Sequence, residues 1–253
     1  REVAAMGTDQ LVVATVVALL GAALWEGLRP VNVPRQANFE GIDDPAAARA
    51  YDWLSRLPHF SLVRQLMAWA VAARRPESPL VDVGCGPGYF TAKLARAFPD
   101  HGVIGVDLSE EMTRTAAANL SARGLGRVRF IQGDARELPF GDGSVGFLVS
   151  TLSLHHWADP VAAFTEFHRV LRPGGQVLVV DVRRDCPRLF YWLFALDRQI
   201  LTPHALRVAN EPIASALASY SLGELRAILR QTPFDEGRVG ALTALSLTWA
   251  RKG

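Results

Sequence analysis

The sequence VDVGCGPGYF, residues 81–90, joins an apolar strand pattern to the start of a helix. Its three glycines, Gly84, Gly86 and Gly88, occupy alternate positions between the two. Glycine reaches backbone conformations that other residues avoid, and it lets a ligand approach the main chain closely. The exposed N–H groups at the start of the following helix can then face that ligand. The stretch therefore predicts a ligand-binding loop between a strand and a helix, with a tight turn that binds nothing as the alternative.

This glycine loop does not fit two common nucleotide-binding motifs. A dinucleotide-binding loop has the pattern G-x-G-x-x-G, and counted from Gly84 its third glycine falls on Tyr89. A Walker loop needs Gly-Lys followed by Ser or Thr, and the sequence lacks it. Both mismatches weaken the interpretation that the loop binds a pyrophosphate.

Beyond residue 80, short apolar runs alternate with amphipathic segments. The predicted strands are residues 80–83, 103–106, 128–131, 145–150, 176–182, 239–243 and 244–249. The predicted helices are residues 45–57, 61–73, 90–97, 109–122, 160–170, 221–230 and most of 188–219. Strands that alternate with helices predict a parallel sheet covered on both faces. Because such crossovers are right-handed, the fold class is a doubly wound α/β sheet preceded by N-terminal helices.

Acidic residues follow the second and third predicted strands. Asp107 can accept hydrogen bonds from both hydroxyls of a ribose, and its alternative role is that of a helix N-cap. Asp134 can accept from an exocyclic amine such as that of adenine, and its alternative is an ordinary loop acid. Open α/β sheets bind ligands at the carboxyl ends of their strands. The two acids and the glycine loop therefore predict one pocket for an adenosine-like ligand.

Four stretches resemble the motifs of class I S-adenosylmethionine-dependent methyltransferases: VDVGCGPGYF, GVDLSEEM, GDARELPF and RVLRPGGQVLVVD. The resemblance covers roughly residues 51–250 and is closest to the ubiquinone and menaquinone biosynthesis group, methyltransferase type 11. It implies a Rossmann-like seven-stranded sheet of order 3-2-1-4-5-7-6 with strand 7 antiparallel. It also implies S-adenosylmethionine as cofactor and S-adenosylhomocysteine as product, but it says little about the methyl acceptor.

The resemblance assigns roles to individual residues. The implied cofactor-binding residues are Asp82, Gly84, Cys85, Gly86, Gly88, Asp107, Leu108, Asp134, Ala135 and Ser150. Asp82 would orient the loop or meet the amino group of the cofactor, and Ser150 would line its methionine end. Leu108 would lie on one face of the adenine, with the Ala135 backbone beside it.

The segment TLSLHHW, residues 151–157, holds the candidate catalytic residues His155 and His156. Histidine titrates near neutral pH, so either side chain could take a proton from the acceptor. Packing, helix capping and cofactor contact are the alternatives. Methyl transfer mainly needs an in-line nucleophile held about 3–3.5 Å from the methyl carbon, so a base is needed only if the nucleophile carries a proton. No metal site is predicted, because adjacent histidines point apart and no third ligand is evident.

The N-terminal residues 11–28 are strongly apolar, and residues 11–25 carry no charge. A bilayer span needs about 17–25 such residues. A membrane anchor is the preferred interpretation, with a packed helix or a cleaved signal peptide as alternatives. Arg29 and Arg35 then place the rest of the chain in the cytoplasm, and a soluble cytoplasmic protein is the alternative.

The predicted organisation follows from these segments. Residues 1–30 form the hydrophobic helix, 31–44 a linker, and 45–253 the methyltransferase domain with a helical substrate cover at about 188–219. The apolar N-terminus and cover indicate a small, lipophilic acceptor such as a quinone precursor, lipid, phenol or amine. The rival functions are a non-catalytic cofactor-binding scaffold and a Rossmann protein that uses another nucleotide.

The composition excludes other classes. With 49% hydrophobic and 21% charged residues the chain is not disordered. A net charge of +2 gives no electrostatic footprint for nucleic acid, and no nucleic-acid partner is predicted. Two cysteines give no disulfide framework. Composition does not determine the oligomeric state.

Overall fold

The computed structural model describes residues 17, 20–38, 44–208 and 210–253. Within them a seven-stranded sheet has the order β3-β2-β1-β4-β5-β7-β6. The strands are β1 (Leu80–Val83), β2 (Val103–Asp107), β3 (Arg129–Gln132), β4 (Val145–Thr151), β5 (Leu171–Val182), β6 (Glu236–Leu242) and β7 (Leu245–Arg251). Strands β1 to β5 pair in parallel, and β7 lies antiparallel between β5 and β6. The predicted fold class and strand order are confirmed.

The described part of the chain contains nine labelled helices and one short 3-10 turn. The helices are α1 (Pro45–Ser55), α2 (Pro58–Ala72), α3 (Tyr89–Ala97), α4 (Glu110–Ser121), α5 (Pro160–Val170), α6 (Arg188–Ile200), α7 (His204–Val208), α8 (Ile213–Ala218) and α9 (Leu222–Leu229). The 3-10 turn is Leu154–His156. The helices α6 to α8 lie within the segment that the sequence predicts as the substrate cover.

Local side-chain chemistry explains where several helices begin. The Asp44 carboxylate accepts from the Ala47 N–H and caps α1. Ser221 and Glu224 form a reciprocal capping box at the start of α9. Pro58, which the sequence pattern treats as a break, is instead the first residue of α2, where its missing N–H removes no helical hydrogen bond.

Each face of the sheet carries its own buried cluster. On one face Trp157, Phe164 and Phe167 pack edge-on, with ring centroids 5.4 Å apart for Trp157 and Phe167 and 5.7 Å for the two phenylalanines. Phe90 and Phe147 belong to the cluster on the opposite face. Burial on both faces explains why the central strands are almost continuously apolar in sequence.

The prediction of a transmembrane helix at residues 11–28 is contradicted within the part of the chain that the structure describes. Of this stretch, residues 11–16, 18 and 19 lie outside the described residues. Among the residues that are described, no helix combines the length and the apolar character that crossing a bilayer requires. Residues 20–28 are helical, and Glu26 forms an ion pair with Arg188 at the start of α6, Oε2 to Nη1 2.7 Å.

Residues 31–38, part of the predicted linker, contain no helix or strand, and we call them the N-terminal strap. The Val31 N–H donates to the Cys186 carbonyl at 3.1 Å. The Arg184 Nε donates to the Val33 carbonyl at 2.8 Å. The strap is therefore hydrogen-bonded to the body of the protein. The domain boundaries given above remain predictions.

The aromatic cluster generates a stability prediction. Phe167→Ala should lower the free energy of unfolding by about 3–5 kcal/mol, because it removes a fully buried ring and leaves a cavity. The matched control is Thr165→Ala, an exposed position on the same helix, which should change it by less than about 0.5 kcal/mol. Urea denaturation measures both, and equal losses for the two variants would show that the cluster does not anchor α5.

Candidate functional site

The glycine loop follows β1 and has a left-handed backbone at each of its three glycines. The φ angles are +72° at Gly84, +50° at Gly86 and +80° at Gly88. A Cβ on Gly84 would lie 2.1 Å from the Ser153 Oγ, which is closer than real atoms approach. A Cβ on Gly88 would lie 2.9 Å from that of Ala116 in α4. Backbone geometry and packing therefore both require glycine here.

Asp107, at the end of β2, binds the glycine loop directly. Its Oδ2 accepts from the Gly86 N–H at 2.8 Å, and its Oδ1 accepts from the Ser109 N–H at 3.0 Å. The Gly133 N–H, just after β3, donates to the Asp107 carbonyl at 2.9 Å. The structure thus brings the glycine loop and the ends of β2 and β3 together at one corner, as the sequence predicts.

Asp134 lies at the same corner but has a partner that the sequence analysis did not identify. Its Oδ2 accepts from the Arg136 Nη2 at 2.6 Å, and its Oδ1 accepts from the Arg136 backbone N–H at 2.8 Å. These hydrogen bonds hold the pKa of Asp134 below its usual value, so the carboxylate is ionised at neutral pH. Of the other residues predicted here, Leu108 is exposed and Ala135 is half-buried.

Two buried polar atoms near the loop lack partners among the described residues. Asp82 is fully buried, and its Oδ2 accepts from the Thr91 hydroxyl at 2.6 Å, while its Oδ1 accepts nothing. Burial raises the pKa of Asp82 to about 7. The Ser150 hydroxyl, at the end of β4, is also buried and unpaired. Buried polar groups normally have hydrogen-bond partners, so both atoms are exceptions beside the glycine loop.

Cys85 has a different character from the acids around it. Its thiol is buried beside Asp107 and Asp82, and burial followed by these two charges raises its pKa well above the ordinary value. The side chain is therefore a protonated thiol at neutral pH. Cys85 contributes to the site as a small buried side chain and through its loop backbone.

A pocket lies between the glycine loop, the end of β4 and the two N-terminal helices. Its lining includes Gly84 and Gly86 from the loop, Leu152 after β4, Tyr51 from α1 and Arg64 from α2. Burial, with the charges of Glu211 and Asp107, raises the pKa of Tyr51 to about 12, so its phenol is protonated. The sequence analysis missed Tyr51 and Arg64, because both precede the first strand and belong to no recognisable motif.

The two predicted catalytic histidines occupy different environments. The Nδ1 of the buried His155 lies 2.9 Å from the Asp181 Oδ1. The backbone N–H of His155 donates to the Asp181 Oδ2 at 2.8 Å. Burial alone would lower the pKa of His155, but the Asp181 charge and hydrogen bonds outweigh it and raise the pKa. Burial and the neighbouring His155 instead lower the pKa of His156 to about 4.

Asp181 was not among the site residues predicted from the sequence. It occurs near the end of an apolar run in β5, as Asp107 does in β2, and this pattern was the available signal. Its carboxylate is buried under the 3-10 turn that carries both histidines. The Asp181 carboxylate holds the His155 ring at Nδ1. Because Asp181 belongs to β5, the sheet positions that imidazole.

Comparison with known proteins shows what this domain is similar to. A family model described as "Methyltransferase domain" matches residues 81–179, which hold the glycine loop, Asp107 and Asp134. Demethylmenaquinone methyltransferase of Geobacillus kaustophilus is 36% identical over 111 residues, 44% of this chain and 47% of that protein. The ubiquinone/menaquinone biosynthesis C-methyltransferase of Shewanella halifaxensis is 28% identical over 177 residues, 67% of this chain and 70% of that protein.

Several solved structures share the fold of this chain. A SAM dependent methyltransferase from Aquifex aeolicus superposes with a TM-score of 0.62 at 20% identity, covering 83% of this chain and 99% of that one. Phosphoethanolamine N-methyltransferase 2 of Haemonchus contortus gives 0.59 at 17% identity, covering 82% and 57%. Residues 81–179 of this chain are thus similar to a methyltransferase domain, within a fold that these solved structures share. It spans about half the length of several of the curated relatives it matches.

Comparing alanine substitutions at two glycines with left-handed backbone tests whether packing around the glycine loop adds to backbone strain. Gly124→Ala should cost about 1–2 kcal/mol, because its φ of +69° disfavours a side chain although nothing lies within 4 Å. Gly84→Ala should cost clearly more, since the same backbone strain is joined by the collision with Ser153. Thermal denaturation compares the two variants. If they lose equal stability, the close approach of Ser153 to the loop is not a constraint.

Proposed function

We propose that this chain is an S-adenosylmethionine-dependent methyltransferase that acts on a small, lipophilic acceptor. The observation that carries the proposal is that the glycine loop and the ends of β2 and β3 meet at one corner of the sheet. There the Gly86 N–H donates to the Asp107 carboxylate, and the Gly133 N–H donates to the Asp107 backbone carbonyl. When bound, the cofactor supplies a methyl group on a sulfonium, which is already a good leaving group. The relatives named for demethylmenaquinone methylation favour a quinone precursor as acceptor, with lipids, phenols and amines as the other candidates.

The residues of the corner fit the cofactor. In this assignment the glycine loop, with Cys85, faces the methionine part, and the unpaired atoms Asp82 Oδ1 and Ser150 Oγ support a polar, positively charged group beside it. Asp107 binds the ribose hydroxyls. A carboxylate offers about four acceptor sites, so Asp107 can hold the loop and the ribose together.

The adenine lies towards the end of β3 in this assignment. Leu108, which is exposed, covers one adenine face, and the Ala135 backbone lies beside the ring. Asp134 accepts from the adenine amine while Arg136 keeps its carboxylate ionised.

The assignment of Asp107 is tested by cofactor binding. Asp107→Ala should weaken the binding of S-adenosylhomocysteine at least about tenfold, or 1.4 kcal/mol, in calorimetric titration. The control is Asp100→Ala, an exposed acid that should leave the dissociation constant unchanged. The unsubstituted protein should not bind NAD. An unchanged constant in Asp107→Ala, or binding of NAD in preference to S-adenosylhomocysteine, contradicts the proposed cofactor.

His155 is the better candidate for a base that takes a proton from the acceptor. A general base works best when its pKa lies near the working pH, and a pKa of about 4 makes His156 a weak base. The Asp181 carboxylate holds the His155 Nδ1 as the protonated ring nitrogen, so Nε2 remains as the accepting atom. In this proposal Asp181 is a positioning residue that also tunes the basicity of His155.

The pH dependence of turnover tests this role. Only neutral His155 accepts a proton, so the rate should rise with pH, with a midpoint above the ordinary histidine value of about 6.5. Asp181→Asn removes the charge that raises the pKa, and the midpoint should move to lower pH. His155→Ala should remove this step from the profile, and His156→Ala should retain it.

The assay uses the best acceptor from a set of quinols, phenols, phospholipids and amines. Urea denaturation checks that each histidine variant is folded at the assay pH. An unaltered pH profile in His155→Ala contradicts the base assignment. The absence of turnover with every acceptor, together with tight binding of S-adenosylhomocysteine, would favour the non-catalytic scaffold instead.

A further inference from the structure

Three arginines surround the ring of Tyr89, at the start of α3. The guanidinium carbons of Arg56, Arg64 and Arg123 lie 6.0, 5.4 and 5.0 Å from the ring centroid. Arg56 also pairs with Asp52 and donates from Nε to the Tyr89 hydroxyl at 2.7 Å. The three arginines therefore share one aromatic neighbour, and Arg56 also has polar partners beside the ring.

Arg123 and Arg64 are the informative pair. Arg123 is exposed, and its Nη1 donates to the Asn119 carbonyl at 2.6 Å. Arg64 is half-buried on α2 and lines the pocket beside Gly84 and Gly86. Only the second of these two guanidinium groups therefore belongs to the pocket.

Arg64 has no acidic partner within residues 20–38, 44–208 and 210–253. No hydrogen bond or ion pair to its guanidinium occurs there, and its neighbours are aromatic. Burial lowers the pKa of Arg64, while the Tyr51 and Tyr89 hydroxyls act in the opposite direction. A guanidinium carries five N–H donors in a planar fork. Removing such a group from water without an anionic partner costs free energy, which an anionic ligand would offset.

We propose that Arg64 binds the carboxylate of the methionine part of the cofactor. The inference rests on the proposed function and names a residue for one end of that ligand. The acids Asp82 and Asp107 lie behind the glycine loop that lines the pocket, and Asp107 is hydrogen-bonded to that loop at Gly86. The lining itself contains a cation, Arg64 on α2. A methionine part with an ammonium and a carboxylate matches this distribution of charge, and the arginine fork fits a carboxylate with two parallel hydrogen bonds.

Two ligands and two variants test the proposal by calorimetric titration. The ligands are S-adenosylmethionine and its decarboxylated analogue, which keeps the sulfonium and the amine. Arg64→Gln should weaken binding of S-adenosylmethionine about tenfold or more, because it removes a charge-assisted hydrogen bond. It should change binding of the analogue less than about twofold. The matched control Arg123→Gln, which alters an arginine stacked on the same ring, should change neither constant.

The other outcomes distinguish a failure of the proposed function from a failure of the role given to Arg64. If the unsubstituted protein binds neither ligand, the proposed function fails. If it binds S-adenosylmethionine and Arg64→Gln binds it equally well, or weakens both ligands to the same degree, the role of Arg64 is overturned. Arg64→Lys, which keeps the charge without the fork, provides a second variant should Arg64→Gln not fold. It should show an intermediate loss for S-adenosylmethionine and none for the analogue.

Discussion

The site depends on the hydrogen bonds that the Asp107 carboxylate accepts from the backbone. One oxygen holds the Gly86 N–H and the other the Ser109 N–H, so a single side chain joins the glycine loop to the end of β2 and the start of α4. Bonds between a carboxylate and backbone amides are among the stronger ones in proteins. The left-handed backbone at Gly86 directs its N–H towards this oxygen. One side chain therefore fixes the loop conformation relative to the end of β2.

Much of the sheet could be predicted from local pattern, and the reasons are visible in particular elements. The run at 80–83 is buried at every position, so its apolar sequence was unambiguous. The placement of β7 between β5 and β6 came instead from the family resemblance, because no local pattern encodes strand order. The apolar run at 11–28 misled, since its length fits a bilayer span as well as a helix of another kind. In the structure Leu24, Trp25 and Leu28 of this run are exposed, so hydrophobicity alone did not determine the environment of the helix.

The parts of the site that escaped prediction come from side chains remote in sequence. Tyr51 and Arg64 reach the pocket from helices that precede the sheet, and tertiary packing alone brings them there. The sequence also could not predict the different pKa values of the two adjacent histidines. His155 and His156 share one motif, yet Asp181 raises the pKa of the first while burial lowers that of the second. Identical residues acquire different chemistry when their surroundings separate their pKa values.

The N-terminal strap links the outer helices to this chemistry. Besides its bonds to Arg184 and Cys186, which precede α6, it reaches the histidine turn, where the Asn38 carbonyl lies 3.3 Å from the His156 Nδ1. The Arg35 Nε donates to the Ala218 carbonyl at the end of α8. A hinge-like displacement of α8 away from the sheet must either break these bonds or draw the strap along with it. The position of α8 and that of the histidine turn are thus linked by hydrogen bonds through a stretch of chain that contributes no strand to the sheet.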